Sequence, residues 1–309
     1  MSDREIVLMT DHSSTEGSRA ALAAAVELLT GLPPVLVDAR HFLTGGDGRT
    51  HIADSVVRLE VPAEDIAVTP SAVLIYEVQP PERRRFEPFQ RLLRRYGTVS
   101  LGTDADAWRA ATDKNMTMAR FALHGIPHME TVTLTRPSVD AAATAFDRLG
   151  RDVWARPALG TCGNDVLHIT TFEQLFQALA RYADSEQDWL ISRDAGNFNA
   201  AGQRHQFRVS VLDGRAVQAC EHVQVRSDAP CNEAQGAACT PMPVDDLPLD
   251  LCELAVAATK SVGLRFGGVD LAAENGGVVF EVNVHPMLGA AHPAESVAVP
   301  YVEAHLAML

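Results

Sequence analysis

The chain has 309 residues, 47% of them hydrophobic and 21% charged, which is long enough for two or three lobes with buried cores. Its formal net charge of −14 argues against binding to nucleic acid, because neutralising a phosphate backbone takes a basic surface. No apolar run reaches the roughly 18 residues of a membrane span, and the polar start MSDREIVLMTD is not a signal peptide. We therefore expect a cytoplasmic protein that does not contact a membrane.

The first hundred residues alternate short apolar runs with helical or loop stretches. The runs at 5–9, 35–38 and 72–77, with the alanine-rich GSRAALAAAVELLTG after the first, predict a βαβ-type domain with a parallel sheet. We expect HFLTGGDGRTHIAD to be its least ordered loop. ERRRFEPFQRLLRR predicts a basic amphipathic helix, which either presents a solvated surface or docks an acidic leader peptide or a carboxylated substrate.

Lysine is rare in this chain. Only Lys114 and Lys260 are lysines among 26 basic residues, and the other 24 are arginines. A compact ammonium and a planar guanidinium are not interchangeable, so a lysine kept at one point indicates a specific contact. Lys114 lies in TDKNMTMARFALHGIP, which predicts an amphipathic helix with Met118, Phe121 and Ala122 on one stripe. We predict that Lys114 binds a phosphate, whereas Lys260 lies on the solvent side of a later helix.

A second candidate for phosphate binding follows in VWARPALGTCGNDV. This β-rich segment carries Arg156 and then runs into the short loop Gly160, Thr161, Cys162 and Gly163. Backbone N–H groups in such a loop can close over phosphates. A Gly-x-x-Gly loop is more often an ordinary turn than a phosphate-binding loop, so it is informative only together with the cations before it and the carboxylates after it.

Three hard oxygen ligands lie in GGVDLAAENGGVVFEVNVHP, residues 267–286. A strand that includes Asp270, a turn at 274–277 and a returning strand predict a β-hairpin. Glu281 and Asn283 are two residues apart, so they face one side of their strand, and an antiparallel partner brings Asp270 alongside. Two carboxylates and an amide oxygen suit Mg²⁺, which is completed by waters and substrate phosphates. The hairpin therefore predicts a nucleotide, and the alternative is a plain hairpin with an acidic edge.

Taken in order, these stretches resemble the ATP-grasp ligases, and within them the RimK-like carboxylate–amine ligases. The resemblance covers nearly the whole chain. Its five pieces are GTVSLGTDADAWRAATDK, WARPALGTCGNDV, HQFRVSVLDGRAVQACEHV, NEAQGAA and GGVDLAAENGGVVFEVNVHP. They are similar, respectively, to the segment before the family's Asp-Lys pair, its Gly-rich loop, its arginine-bearing strand pair, its Asn-containing loop and its metal-binding hairpin.

The resemblance implies roles for particular residues. Lys114 would contact the phosphates of ATP, and Arg208 would hold the acyl-phosphate intermediate or the γ-phosphate. The hairpin carboxylates and amide would carry two Mg²⁺ ions, for which Mn²⁺ is an expected substitute. Asn232, with the loop around Gly236, would line the acceptor end of the site. Arg208 can also be read as a charge at the rim of a sheet, and Asn232 as a turn residue.

The chain departs from the family pattern at three places. Arg156 stands where the family usually has lysine, which keeps the charge but permits a bidentate grip on phosphate. The hinge strand DWLISRDAGNF differs in side chains from the family's Gln-Glu-aromatic run, so we expect adenine to be bound by backbone groups. The hinge residues concerned are Ile191, Ser192, Arg193 and Asp194. Gln206 occupies the place of an acidic residue two before Arg208.

We expect an α/β and α+β protein of the ATP-grasp fold in three lobes. A βαβ-type domain would span 1–100, a small α+β lid 101–187, and a C-terminal domain with an antiparallel sheet and the metal-binding hairpin 188–309. ATP would lie between the lid and the last sheet, which explains why phosphate-binding and metal-binding residues are far apart in sequence.

The expected reaction is ATP-dependent formation of an amide from a carboxylate and an amine through an acyl phosphate. The substrate would be an amino acid, a peptide or a small molecule. We expect no nucleic-acid partner, and a homo-oligomer is an open alternative. Ring closure within one molecule is an alternative. So is a nucleotide-binding scaffold without turnover, which the substitution at Arg156 and the altered hinge motivate.

Five cysteines are present, an odd number without the paired spacing of a metal site, which is typical of reduced thiols. They are Cys162, Cys220, Cys231, Cys239 and Cys252.

Overall fold

The computed structural model describes residues 5–183, 188–288 and 294–309. The chain divides into two compact units, the first made of Met1–Arg109, Leu264–Phe266 and Val284–Leu309 and the second of Ala110–Gly263 and Gly267–Asn283. The predicted boundary between residues 187 and 188 falls at the edge of a segment outside the described residues. The division into three lobes therefore stays a prediction.

The first unit contains two small sheets and the helices around them. Its strands are β1 Ile6–Thr10, β2 Val35–Asp38, β3 Arg49–Ala53, β4 Val56–Val61, β5 Ile66–Val68 and β6 Ala72–Tyr76. Its helices are α1 Ser18–Thr30, α2 Pro80–Arg95, α3 Ala105–Thr112, which contains the boundary with the second unit, and α8 Ala294–Leu306.

The predicted parallel sheet of the first unit is confirmed, with strand order β2-β1-β6. Strands β1 and β6 are buried along their whole length, as expected for parallel strands covered on both faces. Helix α1 packs against α8. Tyr76 and Tyr301 meet edge to face with ring centroids 5.4 Å apart, so residues from both ends of the sequence share one core.

The loop expected to be least ordered contains strand β3 instead, which pairs with β4 in the sheet β3-β4-β5. That expectation is wrong because the glycines at 45, 46 and 48 precede the strand rather than interrupt it. The apolar face of this sheet comes from β4, where Val57, Leu59 and Val61 are buried at period two.

Helix α2 carries the basic run, and Phe86, Phe89 and Leu93 form its buried side, whereas Leu92 is only partly buried. Three of its six arginines form ion pairs with acidic residues of the same unit. The pairs are Arg85 with Glu82, Arg91 with Asp106 and Arg94 with Asp104. This pairing favours a solvated helix surface over a dock for an acidic peptide.

The second unit contains two further sheets. Its helices are α4 Lys114–His124, α5 Val139–Arg148, α6 Phe172–Tyr182 and α7 Leu249–Ser261. Its strands are β7 Thr131–Leu134, β8 Val153–Pro157, β9 Leu167–Ile169, β10 Trp189–Arg193, β11 Arg204–Leu212, β12 Arg215–Gln224, β13 Ala238–Met242, β14 Phe266–Ala272 and β15 Val278–Asn283.

The first of these sheets has the order β7-β10-β8-β9, and all three neighbouring strand pairs are antiparallel. Helices α5 and α6 cover it with a core that includes Phe146, Leu175 and Trp189. Thr171 and Gln174 form a reciprocal capping box at the start of α6, which satisfies two of the N–H groups that a helix start leaves unpaired.

The second sheet has the order β13-β12-β11-β14-β15 and carries the predicted hairpin as its last two strands. Helix α4 begins at Lys114 because the Asp113 side chain accepts hydrogen bonds from the N–H groups of Asn115 and Met116. The helix ends at Gly125, which has a left-handed conformation with φ 67°. Phe121 is buried as predicted, but Ala122 is exposed and Thr117 takes the inner position.

Candidate functional site

The predicted β-hairpin is present, with Asp270 directly opposite Glu281 in the β14–β15 ladder. Asn283 lies beside both carboxylates. Its Nδ2 is 3.2 Å from Asp270 Oδ2 and 3.4 Å from Glu281 Oε1. The alternation of side chains along a strand places Glu281 and Asn283 on one face, as the sequence predicts. The three candidate metal ligands therefore converge.

Arg208 on β11 meets the same cluster. Its Nε and Nη2 donate to the two oxygens of Asp270 at 2.6 and 2.8 Å, which is a bidentate ion pair. Asp270 is only 2% exposed, so an unpaired charge there would be costly. Arg208 therefore holds the Asp270 carboxylate in a fixed orientation towards β11.

Two more cations approach from other elements. Lys114, at the start of α4, has its Nζ 3.9 Å from Glu281 Oε2 and 3.2 Å from the carbonyl oxygen of Gly160. Arg156, on β8, has Nη1 3.8 Å from the same Glu281 oxygen, and its Nη2 donates to the carbonyl oxygen of Phe280. The Nε of Arg156 is buried without a hydrogen-bond partner in the described structure. The Glu281 carboxylate thus lies near both Lys114 and Arg156, which are 42 positions apart in the sequence.

Burial and charge act in opposite directions on these groups. Burial raises the pKa of the Asp270 carboxyl, and Glu281 adds to this while Arg208 opposes it. Burial also tends to raise the pKa of Glu281, but Lys114, Arg156 and Arg208 outweigh it and lower that pKa. Burial lowers the pKa of the Arg156 guanidinium, against the opposing effect of the two carboxylates. The site is therefore a balanced group of buried charges rather than a surface ion pair.

A cavity of the second unit opens onto these residues. Of the candidates from sequence, those that line it are Lys114, Arg156, Gly160, Thr161, Cys162, Gly163, Ser192, Arg193, Asn232, Asp270 and Glu281. Asn232 comes close to the Gly-rich loop, since a Cβ placed on Gly163 would be 2.7 Å from its Oδ1. Gly163 also has φ +68°, so the close approach and the backbone both require glycine there.

Four candidates do not line the cavity. Arg208 contacts Asp270, and Asn283 contacts Asp270 and Glu281, so both lie directly behind residues that line the cavity. Ile191 is fully buried in the core of the four-stranded sheet. Asp194 binds the side chains of Trp154 and Arg204 instead.

The backbone of the hinge strand is already engaged. The N–H groups of Arg193 and Asp194 donate to the carbonyl oxygens of Glu130 and Asp152, both at 2.9 Å. An adenine bound through these two N–H groups would have to displace those bonds. Adenine binding by residues 191–194 stays a prediction.

Trp154 and Arg204 line the cavity but were not among the candidates from sequence. Arg204 is 3% exposed and is held between two rings, 4.9 Å from the centroid of Trp154 and 4.6 Å from that of Phe198. The sequence contained a signal that could have identified both residues. Trp154 is two residues before Arg156 on β8, and Arg204 is four residues before Arg208 on β11. Residues at period two share a strand face.

The hairpin fits a hard divalent cation. Two carboxylates face each other with an amide beside them, and rotating the Asn283 side-chain amide by half a turn presents its oxygen in place of its nitrogen. The repulsion between Asp270 and Glu281 is offset by nearby cationic side chains and by the Asn283 amide that donates to both carboxylates. A Mg²⁺ ion held by Asp270, Glu281 and Asn283 would supply the remaining positive charge and polarise phosphate oxygens.

Comparison with known proteins identifies the family. The sequence-family model of the RimK-like ATP-grasp domain matches residues 111–297, more than half of the chain. The chain belongs to the RimK-like ATP-grasp family. The matched stretch contains every candidate ligand and phosphate-binding residue described above.

Solved ATP-grasp structures share the fold over almost the full length. The ligase PsnB complexed with its minimal precursor has a TM-score of 0.70 at 16% identity, covering 99% of this chain and 100% of that one. The D-cycloserine synthetase DcsG has a TM-score of 0.69 at 18% identity, covering 98% and 99%. D-alanyl-alanine synthetase A from Vibrio cholerae has 0.69 at 17%, covering 99% of each chain. A search of curated proteins finds no match.

Family membership confirms the predicted ATP-grasp fold. It also confirms the predicted class of enzyme, an ATP-dependent carboxylate–amine ligase with ATP and Mg²⁺ as cofactors. Within the described residues, no helix has both the length and the apolar character required to cross a membrane. The cytoplasmic location stays a prediction.

Proposed function

We propose that this RimK-like ATP-grasp protein uses the cavity of its second unit to join a carboxylate to an amine. The γ-phosphoryl group of ATP passes to the carboxylate oxygen, which gives an acyl phosphate and ADP. The amine then attacks the acyl carbon, and phosphate leaves as the amide forms. A carboxylate does not react with an amine unaided, because its carbon is a poor electrophile and it lacks a good leaving group.

The observation that carries the proposal is the convergence of Asp270, Glu281 and Asn283 with Lys114 and Arg156 at one cavity. Bringing a carboxylate to a triphosphate requires the repulsion between negative groups to be neutralised. Fixed cations around a water-poor site do this without reorganisation during the reaction. We assign the phosphates to Lys114, Arg156 and the Gly160–Gly163 loop.

We assign the acyl-phosphate end to Arg208 and the acceptor end to Asn232. Arg208 is tied to Asp270 by two hydrogen bonds, so phosphate held near the hairpin would meet a guanidinium of fixed orientation. Asn232 lies across the cavity at the Gly163 side of the loop. An acceptor placed there would be held between the Gly-rich loop and the segment before Gly236.

The substrate we propose is a peptide or an amino-acid-like small molecule with a free carboxylate. Among proteins of this fold, PsnB is described with a precursor peptide and DcsG as a D-cycloserine synthetase, so the fold accommodates both kinds. Intermolecular joining and ring closure both remain compatible with the site, because each uses the same acyl phosphate.

The test follows phosphate release from ATP and Mg²⁺ with pools of carboxylates and amines, with products identified by mass spectrometry. We expect release that depends on an amine, and a loss of about 1,000-fold in Asp270→Asn and Glu281→Gln, since metal-assisted charge stabilisation contributes several kcal/mol. Glu253→Gln, at an exposed position on α7, is the matched control and should retain full activity.

Tight binding of ATP without release for any pool would reject the ligase. It would favour the nucleotide-binding scaffold that the arginine at position 156 and the altered hinge motivate.

A further inference from the structure

A second group of candidate metal-binding side chains lies on the five-stranded sheet, beside Arg208, whose guanidinium pairs with Asp270 of the hairpin. Cys220 and His222 are two residues apart on β12, so their side chains share a face. Cys239 on β13 is the direct cross-strand partner of His222. One ligand atom from each of the three residues lies within 4.8 Å of the other two. Spacing along the chain does not reveal this group, because the ladder rather than the sequence brings Cys239 to the others.

Two of the three residues are buried, Cys239 is partly exposed, and His222 is oriented for a ligand. Cys220 and His222 are 2% and 1% exposed. The Nε2 of His222 lies 3.3 Å from a carboxylate oxygen of Glu233, while its Nδ1 is buried without a hydrogen-bond partner in the described structure. A carboxylate on one ring nitrogen fixes the proton there and leaves the lone pair of the other nitrogen for a metal, an arrangement typical of metal-binding histidines.

We propose that Cys220, His222 and Cys239 bind one thiophilic divalent cation, with Zn²⁺ as the expected occupant. Two sulfur ligands and one imidazole are a donor set that Zn²⁺ prefers and Mg²⁺ avoids, so this site is chemically distinct from the hairpin. Each cysteine loses its thiol proton on binding, and two protons are released per ion. Three protein ligands leave a fourth position for water or another small ligand.

The charges around the three ligands are compatible with a bound divalent cation. Two thiolates and a neutral imidazole bring a divalent ion to zero net charge. Two charged side chains adjoin the cluster. The carboxylate of Glu233 lies 3.3 Å from His222 Nε2, and Arg208, the direct partner of Cys220 in the β11–β12 ladder, is already neutralised by Asp270 through the bidentate ion pair. Binding of the cation therefore does not require a further buried counter-charge. The site does not depend on the proposed ligase activity.

The test uses Co²⁺ as a spectroscopic probe of the full-length protein, reduced and handled without oxygen so that the thiols stay reduced. We expect one equivalent to bind with thiolate-to-cobalt charge-transfer absorption and visible bands of a four-coordinate ion, and Zn²⁺ to displace it. Mg²⁺ in large excess should not displace it, which separates this site from the carboxylate hairpin. Absence of these bands, or displacement by Mg²⁺, would overturn the proposal.

Variants test the ligands individually. Cys239→Ser and His222→Gln should abolish the charge-transfer spectrum, whereas Cys252→Ser, which lies on α7, should retain it. Glu233→Gln keeps all three ligands and should weaken binding by about 10- to 100-fold with the same spectrum, because it removes only the group that orients His222. Since the Glu233 side chain is 34% exposed, this variant should fold even if a ligand variant does not. An unchanged affinity in Glu233→Gln and an unchanged spectrum in Cys239→Ser would refute the assignment.

Discussion

Arg156 stands where the sequence resemblance leads us to expect a lysine, and its contacts show how an arginine is accommodated there. One guanidinium nitrogen faces Glu281 and another donates to the Phe280 carbonyl oxygen, both on β15. The guanidinium makes these contacts with two different nitrogens held in one plane, whereas a lysine offers a single nitrogen for both. We infer that arginine anchors β8 to the hairpin while keeping a positive charge towards the cavity.

Replacing Arg156 separates charge from shape. Arg156→Met should weaken binding of Mg²⁺ with a non-hydrolysable ATP analogue by about 10- to 100-fold, the effect of about 1.5–3 kcal/mol for a hydrogen bond to a charged group. Arg156→Lys keeps the charge and should weaken binding less than the methionine variant does. Isothermal titration calorimetry measures both. Equal affinities of the methionine variant and the wild type would show that position 156 does not contact phosphate.

Sequence patterns located individual residues well where the contact is local or periodic. Asp270, Glu281 and Asn283 were predicted together because a hairpin with period two leaves little choice of face. The side-chain partner of Asp194 was not predictable, because Arg204 joins it from another strand and Trp154 from a third. Such contacts depend on which strands become neighbours, and local patterns do not encode that.

At the scale of elements, His205 links the turn of the β14–β15 hairpin to the neighbouring strands. Its Nδ1 lies 2.7 Å from Glu221 on β12, and its Nε2 lies 2.9 Å from Glu274 in the turn. Burial lowers the pKa of this imidazole, but the two carboxylates outweigh burial and raise that pKa above its ordinary value of 6.5. The His205 side chain on β11 therefore links strand β12 to the turn between β14 and β15.

A raised histidine pKa has a definite effect on stability. The stabilising contribution of His205 is complete below pH 6.5 and is lost as the pH rises through the raised pKa of the folded state. The free energy of unfolding, measured with urea from pH 5.5 to 8.5, should therefore fall with pH more steeply in the wild type than in His205→Gln. His124→Gln, at the exposed end of α4, is the matched control and should keep the wild-type slope. Parallel curves for wild type and His205→Gln would contradict this account.

The elements themselves were predictable to different degrees. Helix α4 and the hairpin β14–β15 have strong periodicity and clear ends, and sequence analysis placed them within a few residues. The sheet β3-β4-β5 was missed because β3 is largely exposed and follows a glycine-rich turn, so its residues lack the apolar alternation of a half-buried strand.

At the scale of the whole molecule, every residue that lines the candidate cavity belongs to the second unit. A ligand of that cavity binds only the folded form of the unit, so it should stabilise the protein by mass action. An ATP analogue with Mg²⁺ at 100 times its Kd should raise the free energy of unfolding by about 2.7 kcal/mol.

Adenosine is the matched ligand control for this effect. It lacks the phosphates that Lys114 and Arg156 address, so at the same concentration it should stabilise the protein much less. Urea unfolding in the two ligands makes the comparison. Equal stabilisation by adenosine and by the triphosphate analogue would mean that these cations do not bind phosphate.

The order of the chain through the two units has a consequence for synthesis on the ribosome. Tyr301 of α8, which packs on Tyr76, lies beyond the entire second unit in the sequence. During translation β1, β2 and β6 emerge early, but the helix that completes their core emerges last. The apolar surface that α8 covers in the folded protein therefore stays exposed on the nascent parallel sheet while more than 150 residues of the second unit are synthesised. This interval is when we expect the growing polypeptide to depend most on chaperones.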